Sequence, residues 1–128
     1  MTASIVRDSA SAAFYDGTAR GEFLLRHCPS CETHSAPQAI QCTACSSTEL
    51  GWSRAEGAAI LISWTVGHDR SGTVTTIAGL VELTEGPWIR TRITGVSDPS
   101  ALATGMALHV AFEPVDGAET VPVFRVTA

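Results

Sequence analysis

Residues 26–47 read RHCPSCETHSAPQAIQCTACSS, and all four cysteines of the chain fall within them as two Cys-x-x-Cys pairs separated by ten residues. A Cys-x-x-Cys turn lets two thiolates approach one ion from the same side, and two such turns complete a tetrahedral shell of four sulfurs. The spacing therefore predicts a metal ribbon, with Cys28 and Cys31 on one knuckle and Cys42 and Cys45 on the other. Other uses of paired thiols fit less well. Disulfide frameworks are rare in reducing compartments, and a redox Cys-x-x-Cys has no reason to be duplicated within eighteen residues. Four protein ligands leave no open position, so the expected ion is structural zinc, with iron in a rubredoxin-like four-sulfur site as the alternative occupant. His27 and His34 flank the knuckles, but four thiolates already satisfy the ion, and both imidazoles are expected at the surface. Ile40 and Leu50 are nearly the only large aliphatics between residues 26 and 50. Such a segment buries too little to fold alone, whereas structural zinc contributes roughly 10–16 kcal/mol of apparent binding free energy in small fingers.

The whole chain has 128 residues, about one domain's worth, with 45% hydrophobic and 16% charged residues, as expected for a soluble globular protein. No apolar run approaches the roughly 18 residues of a membrane-spanning helix, and Met1 to Asp16 lacks the basic-then-apolar order of a signal peptide. The expected compartment is the cytoplasm. All eight basic residues are arginine and the net charge is -5, which disfavours indiscriminate binding to nucleic acid.

On the N-terminal side of the ribbon, RDSASAAFYDG (7–17) predicts a short helix, with Asp8 or Ser9 as its cap and Gly17 as its stop. GEFLLRHC then reads as a strand entering the first knuckle and ELGWSRAEG as the exit from the second. From Ala58 onward the hydrophobic period becomes two, and five strands are expected at 58–66, 73–83, 87–95, 106–114 and 121–127. The third gap, VSDPSALAT, suits a short helix capped by Ser97, with Pro99 in its first turn and Gly105 as its end. Five strands with a helix between the third and fourth is the order of an OB fold. The expected architecture is mainly β: a helical segment over 1–20, a four-cysteine zinc ribbon over 21–52 and a five-stranded OB-fold barrel over 53–128.

The ordered set of a short helix, GEFLLRHCPSC, Pro37 ahead of CTAC, SWTV, IAGLVELTEG and a late GM resembles the zinc-ribbon-plus-OB-fold family, over about residues 12–126. The sequence departs from that family's pattern at Glu32, where glycine usually follows the second cysteine, and at Gln38, where a basic residue often follows the proline. The resemblance implies a non-catalytic accessory subunit of a thiolase-like enzyme (a thiolase, an acyltransferase or a sterol side-chain aldolase) acting on acyl-CoA. It implies two copies of each subunit in a heterotetramer, with acyl-CoA held at or near the interface. The alternatives are a single-stranded nucleic-acid-binding module and a stand-alone acyl-CoA-binding protein. A low count of basic and aromatic residues speaks against the first, and partners of nucleic-acid or membrane type are not expected.

No catalytic residue is expected in this chain, since the cysteines are engaged with metal and no Ser/His/Asp order or phosphate loop is present. Alternation over WIRTRIT places Trp88, Arg90 and Arg92 on one face, opposite Ile89, Thr91 and Ile93. That strip is the candidate for holding the CoA diphosphate. The plainer reading is an outward face paired with Glu82 and other acids across strands. Trp64 is expected to share a core or partner-facing side with Ile60, Ile62 and Val66, and His109 to face solvent. His68 and Asp69 sit in a loop beside Arg70 and are a weak proton-transfer pair, while Glu82 and Glu85 bracket a turn. Phe14 and Tyr15 offer apolar surface that a partner could cover.

Overall fold

The computed structural model describes residues 7–127, so residues 1–6 of the expected N-terminal segment lie outside the described residues. One helix, α1 (Ala12–Ala19), precedes eight strands: β1 (Leu24–His27), β2 (His34–Ser35), β3 (Gly51–Arg54), β4 (Ala58–His68), β5 (Val74–Leu83), β6 (Trp88–Thr94), β7 (Ala107–Glu113) and β8 (Val121–Val126). A single 3-10 turn, Pro99–Ala101, separates β6 from β7. Strands β2, β1 and β3 form a small antiparallel sheet at the base of the ribbon. Strands β4 to β8 close into a barrel in the order β4-β5-β6-β8-β7, with β6 and β8 parallel and the other pairs antiparallel. This is the five-stranded OB arrangement expected from the sequence.

Period-two patterning closes the barrel. Ile77, Val81 and Leu83 of β5, Ile93 of β6, Leu108 of β7 and Phe124 of β8 all point inward and are buried. Each large side chain removed from water contributes about 1.5–3 kcal/mol. The core continues out of the barrel, since Phe23, Leu25 and Ala55 belong to the same cluster. Phe14 of α1, Phe23 and Phe124 form a chain of edge-to-face contacts with centroid spacings of 5.6 and 5.8 Å. Helix, ribbon base and barrel therefore share one apolar interior, and the ribbon's far end alone lacks one.

Strand β4 corrects one expectation. The pairing of β4 with β5 shifts register between Leu61 and Ser63, and the extra residue reverses the alternation. Ala59 and Leu61 face inward before the shift; Ile62, Trp64 and Val66 are half-buried after it, and Trp64 packs against the core. Ile60 is thus not a face-mate of Trp64: it points outward and is 39% exposed.

The helix is also displaced from its expected bounds. Asp8 does cap a chain reversal, accepting from the Ser11 amide and hydroxyl, both at 2.9 Å, but the resulting turn delays the helix to Ala12. Gly17 does not end it. The stop is Gly21, at φ +78°, where the Glu22 amide donates to Gly17 and the Gly21 amide to Thr18, the paired bonds of a Schellman motif. Gly17 is required for a different reason: a Cβ there would lie 2.7 Å from Leu24 Cδ1. The helix is fastened to the β7–β8 loop by Thr18, whose hydroxyl donates to the Thr120 carbonyl at 2.7 Å. Arg7 adds a second tie, donating to both Glu119 oxygens at 2.8 and 2.9 Å and pairing with Asp16. The short helix near residue 97 reduces to the single turn at Pro99, and its cap is Asp98 rather than Ser97, accepting from the Ser100 amide at 3.0 Å.

Candidate functional site

The two knuckles are built alike. Glu32 N–H donates to the Cys28 carbonyl at 2.7 Å and Ser46 N–H to the Cys42 carbonyl at 3.0 Å. Each knuckle is closed by a bond in the other direction, from Cys28 N–H to Thr33 at 3.0 Å and from Cys42 N–H to Ser47 at 2.8 Å. This turn requires a left-handed residue after the second cysteine, and Glu32 and Ser46 adopt it at φ 62° and 64°. The departure from glycine at position 32 is therefore a matter of backbone conformation.

The turns bring four sulfurs together, all within 4.8 Å of one another. Cys28 and Cys45 Sγ are 3.6 Å apart, and Cys31 and Cys42 Sγ 3.5 Å. Four sulfurs on a tetrahedron with bonds of about 2.3 Å would be separated by about 3.8 Å. The cluster thus has the size and donor set that a divalent ion such as zinc accepts. Its electrostatics agree. The Cys31 amide lowers the Cys28 thiol, the Thr33 hydroxyl lowers Cys31, and the Cys45 amide lowers Cys42. The Ser47 amide also favours ionised Cys45, but the three neighbouring sulfurs together outweigh it and push that thiol up to about 12. Four thiolates at this spacing need a cation among them. Cys28 and Cys42 are buried, Cys31 and Cys45 exposed, so the cluster lies at the surface with one side covered. His27 and His34 face each other across β1 and β2 at 5.2 Å and are not part of the sulfur cluster.

Beside the ribbon runs a cleft of about 1200 Å3 between the start of α1, the ribbon loop 37–40 and strand β6. It divides the expected strip. Trp88 and Arg90 line it, whereas Arg92 is not in its wall and is ion-paired with Glu113 of β7. Trp88 is 53% exposed, and its indole donates to Glu82 at 3.0 Å, as cross-strand pairing in this register requires. The cleft also holds residues that sequence reading passed over. Arg26 and Trp52 are register partners on β1 and β3, and the guanidinium lies 4.3 Å above the indole. Alternation through GEFLLRHC and ELGWSRAEG carries that signal, but only once the two strands are known to pair. Phe14 and Tyr15, expected as free apolar surface, are half-buried in the cleft wall, and Phe14 is partly taken up by the core.

The remaining expected groups serve the fold. The Asp69 carboxylate accepts from the Ser71 hydroxyl and from the amides of Ser71 and Thr73, and these bonds, the hydroxyl first, lower it. It shapes the β4–β5 turn, with His68 exposed beside it. His109 faces solvent on β7, as expected. Glu82 is occupied by Trp88, and Glu85 accepts from the Glu56 amide at 2.8 Å.

With this geometry in place, likeness to known proteins is specific. Residues 52–113 match the family described as ChsH2, C-terminal OB-fold domain. A chain of the solved Ltp2-ChsH2(DUF35) aldolase superposes with a TM-score of 0.81 at 25% identity, covering 95% of this chain and 98% of that one. A DUF35 protein of unknown function from Sulfolobus solfataricus superposes at 0.64 with 13% identity, over 93% and 86% of the two chains, and shares the fold. A curated protein, the probable enoyl-CoA hydratase alpha subunit of Thermomonospora curvata, is 27% identical over 125 residues. That alignment takes in 95% of this chain and only 38% of the relative, so this chain spans well under half the relative's length.

Proposed function

As a chain with the ribbon-plus-OB-fold architecture of the ChsH2 type, this protein, we propose, is a non-catalytic accessory subunit of a thiolase-like enzyme acting on acyl-CoA. The observation that carries the reading is the superposition, over nearly the full length of both chains, on a chain of an Ltp2-ChsH2(DUF35) aldolase. The chain's own chemistry is consistent with it. Its cysteines form one cluster, and Asp69 and Glu119 are engaged in turns and ties of the fold. Cys28, Cys31, Cys42 and Cys45 would hold a structural zinc, which fixes the ribbon loop against the barrel.

In this reading the reacting groups belong to the partner, and this chain supplies shape and exclusion of water at the acyl-CoA site. Of the expected strip, Arg90 is the cation that makes no ion pair among the described residues. Co-expression with the thiolase-like proteins of the native host, followed by gel filtration, should give a stable complex, and acyl-CoA turnover should require both chains. Turnover of acyl-CoA by the purified chain alone at an enzyme-like rate would overturn the proposal. The identity with a hydratase-named subunit supports a second reading, in which the partner is an enoyl-CoA hydratase. The same co-expression with hydratase subunits separates the two.

A further inference from the structure

The accessory reading leaves open which surface meets the partner. We propose that the cleft between α1, the ribbon loop and β6 is a docking groove for an acidic segment of the partner protein, flanked by apolar residues. The inference rests on the accessory reading and adds the surface and the chemistry of what fills it.

Three observations carry it. The first is charge. The chain as a whole carries -5, yet the charged residues lining the cleft are Arg26, Arg90 and Asp8, and the Asp8 carboxylate is already engaged by Ser11. Among the described residues Arg90 makes no ion pair. Arg26 donates from one terminal nitrogen to the Leu50 carbonyl at 3.0 Å, and its guanidinium carbon lies 4.3 Å from the Trp52 ring centroid. A guanidinium held in place by its own chain favours a carboxylate, and two arginines facing one cleft on an acidic chain mark the partner's side as negative.

The second is residue type. Trp, Tyr and Arg are the side chains that dominate interface energetics, and Trp52, Trp88, Tyr15, Arg26 and Arg90 converge here. The third is the rim. Ile40, at the tip of the ribbon loop, lines the cleft and is 84% exposed. A small ligand seated between the arginines would leave that side chain in water, whereas a polypeptide crossing the rim covers it. The cleft's volume of about 1200 Å3 also lies above the usual range of about 300–1,000 Å3 for small-molecule pockets. The exposure of Ile40 on the same cleft as Arg90 thus favours a carboxylate-bearing segment over a diphosphate as the occupant.

The test uses the full chain co-purified with its thiolase-like partner, and three variants whose altered side chains are exposed: Ile40→Asp, Arg90→Glu and, outside the cleft on the barrel's outer face, Ile60→Asp. Melting temperatures first establish that each variant is folded. Ile40→Asp and Arg90→Glu should each weaken the complex about tenfold or more, the Arg90→Glu complex should lose its salt dependence, and Ile60→Asp should bind as wild type. A complex that forms with undiminished affinity in both cleft variants overturns the docking groove while leaving the accessory reading intact. Loss of acyl-CoA affinity in Arg90→Glu with unchanged assembly also overturns it, assigning the cation to the cofactor. Failure of wild type to bind any thiolase-like protein overturns the accessory reading itself, and the groove with it.

Discussion

The ribbon and the barrel sit side by side in one chain and are held by opposite means. Between His27 and Leu50 the buried side chains are Cys28, Ser35 and Cys42, and the largest aliphatic, Ile40, stands in solvent. The barrel closes on itself by strand pairing and buries Leu61, Val81, Leu83, Leu108 and Phe124 almost completely. One region is organised by four donor atoms at the right spacing, the other by apolar area. With zinc in the cluster, as proposed, order in the first would depend on a single chemical event, and in the second it depends on many small, separable contributions. Perturbations that distinguish chelation from burial should therefore split the molecule along the boundary near β3.

The largest effect should come from removing the metal. A chelator, or Cys28→Ser, withdraws a contribution that reaches roughly 10–16 kcal/mol in small structural zinc sites. Hydrogen exchange should then show protection lost across residues 28–50 while β4 to β8 keep theirs, because Leu25 and Phe23 remain anchored in the shared core. Elemental analysis should find one metal ion per chain beforehand, and colour would distinguish iron from zinc. Free thiols with no metal, or collapse of barrel and ribbon in one step, would break the contrast.

On the barrel side, Phe124→Ala should cost about 3–5 kcal/mol, because the side chain is fully buried where helix, ribbon base and barrel meet. Denaturant unfolding measures it, and the metal should stay bound until the barrel transition. A loss below about 1 kcal/mol would mean the core relaxes around the cavity and is less cooperative than its packing implies.

The contrast also explains what was legible in the sequence. Chelation is written locally: Cys-x-x-Cys states both the turn and the donor atoms, so the four residues whose sulfurs the fold brings together could be named without a structure. Barrel strands are nearly as legible, since alternation from Ala58 onward places every strand to within two residues. What was hidden depends on pairing. The outward turn of Ile60 follows from a bulge visible only against β5, and the Arg26–Trp52 stack needs β1 and β3 in register. The split of Trp88, Arg90 and Arg92 between cleft and ion pair needs the position of Glu113, twenty-one residues beyond Arg92. Gly17 misled because glycine has two uses, and here close approach to Leu24, not a left-handed stop, is the one that applies.

That second use gives a smaller effect, at the junction of the two regions. Gly17→Ala forces a Cβ to within 2.7 Å of Leu24 Cδ1 and 3.3 Å of the Glu22 carbonyl. Helix propensity alone would favour alanine by about 1 kcal/mol, whereas overpacking costs about 1–3 kcal/mol. The crowding should win, giving a net loss of about 1 kcal/mol in thermal unfolding. A gain in stability would mean that Leu24 has room to move aside and that α1 is only loosely seated.

The smallest effect has the opposite sign and tests the ribbon from within. Glu32 holds φ 62° at the position after Cys31 where the knuckle requires a left-handed residue, and Ser46 does the same at 64° after Cys45. A side chain there costs roughly 1–2 kcal/mol by contact between Cβ and the following carbonyl, and glycine would remove that cost. Glycine also widens the unfolded ensemble, which returns about 0.4–1 kcal/mol of the gain. Glu32→Gly should therefore stabilise the ribbon by about 0.5–1 kcal/mol, visible as slower metal loss to a chelator with the barrel's melting temperature unchanged. Ser46→Gly should act in the same direction and by a similar amount, because the two knuckles share one hydrogen-bond pattern. If Glu32→Gly instead speeds metal loss while Ser46→Gly slows it, the exposed carboxylate of Glu32 contributes more than its backbone strain removes, and the equivalence of the two knuckles ends at their hydrogen bonds.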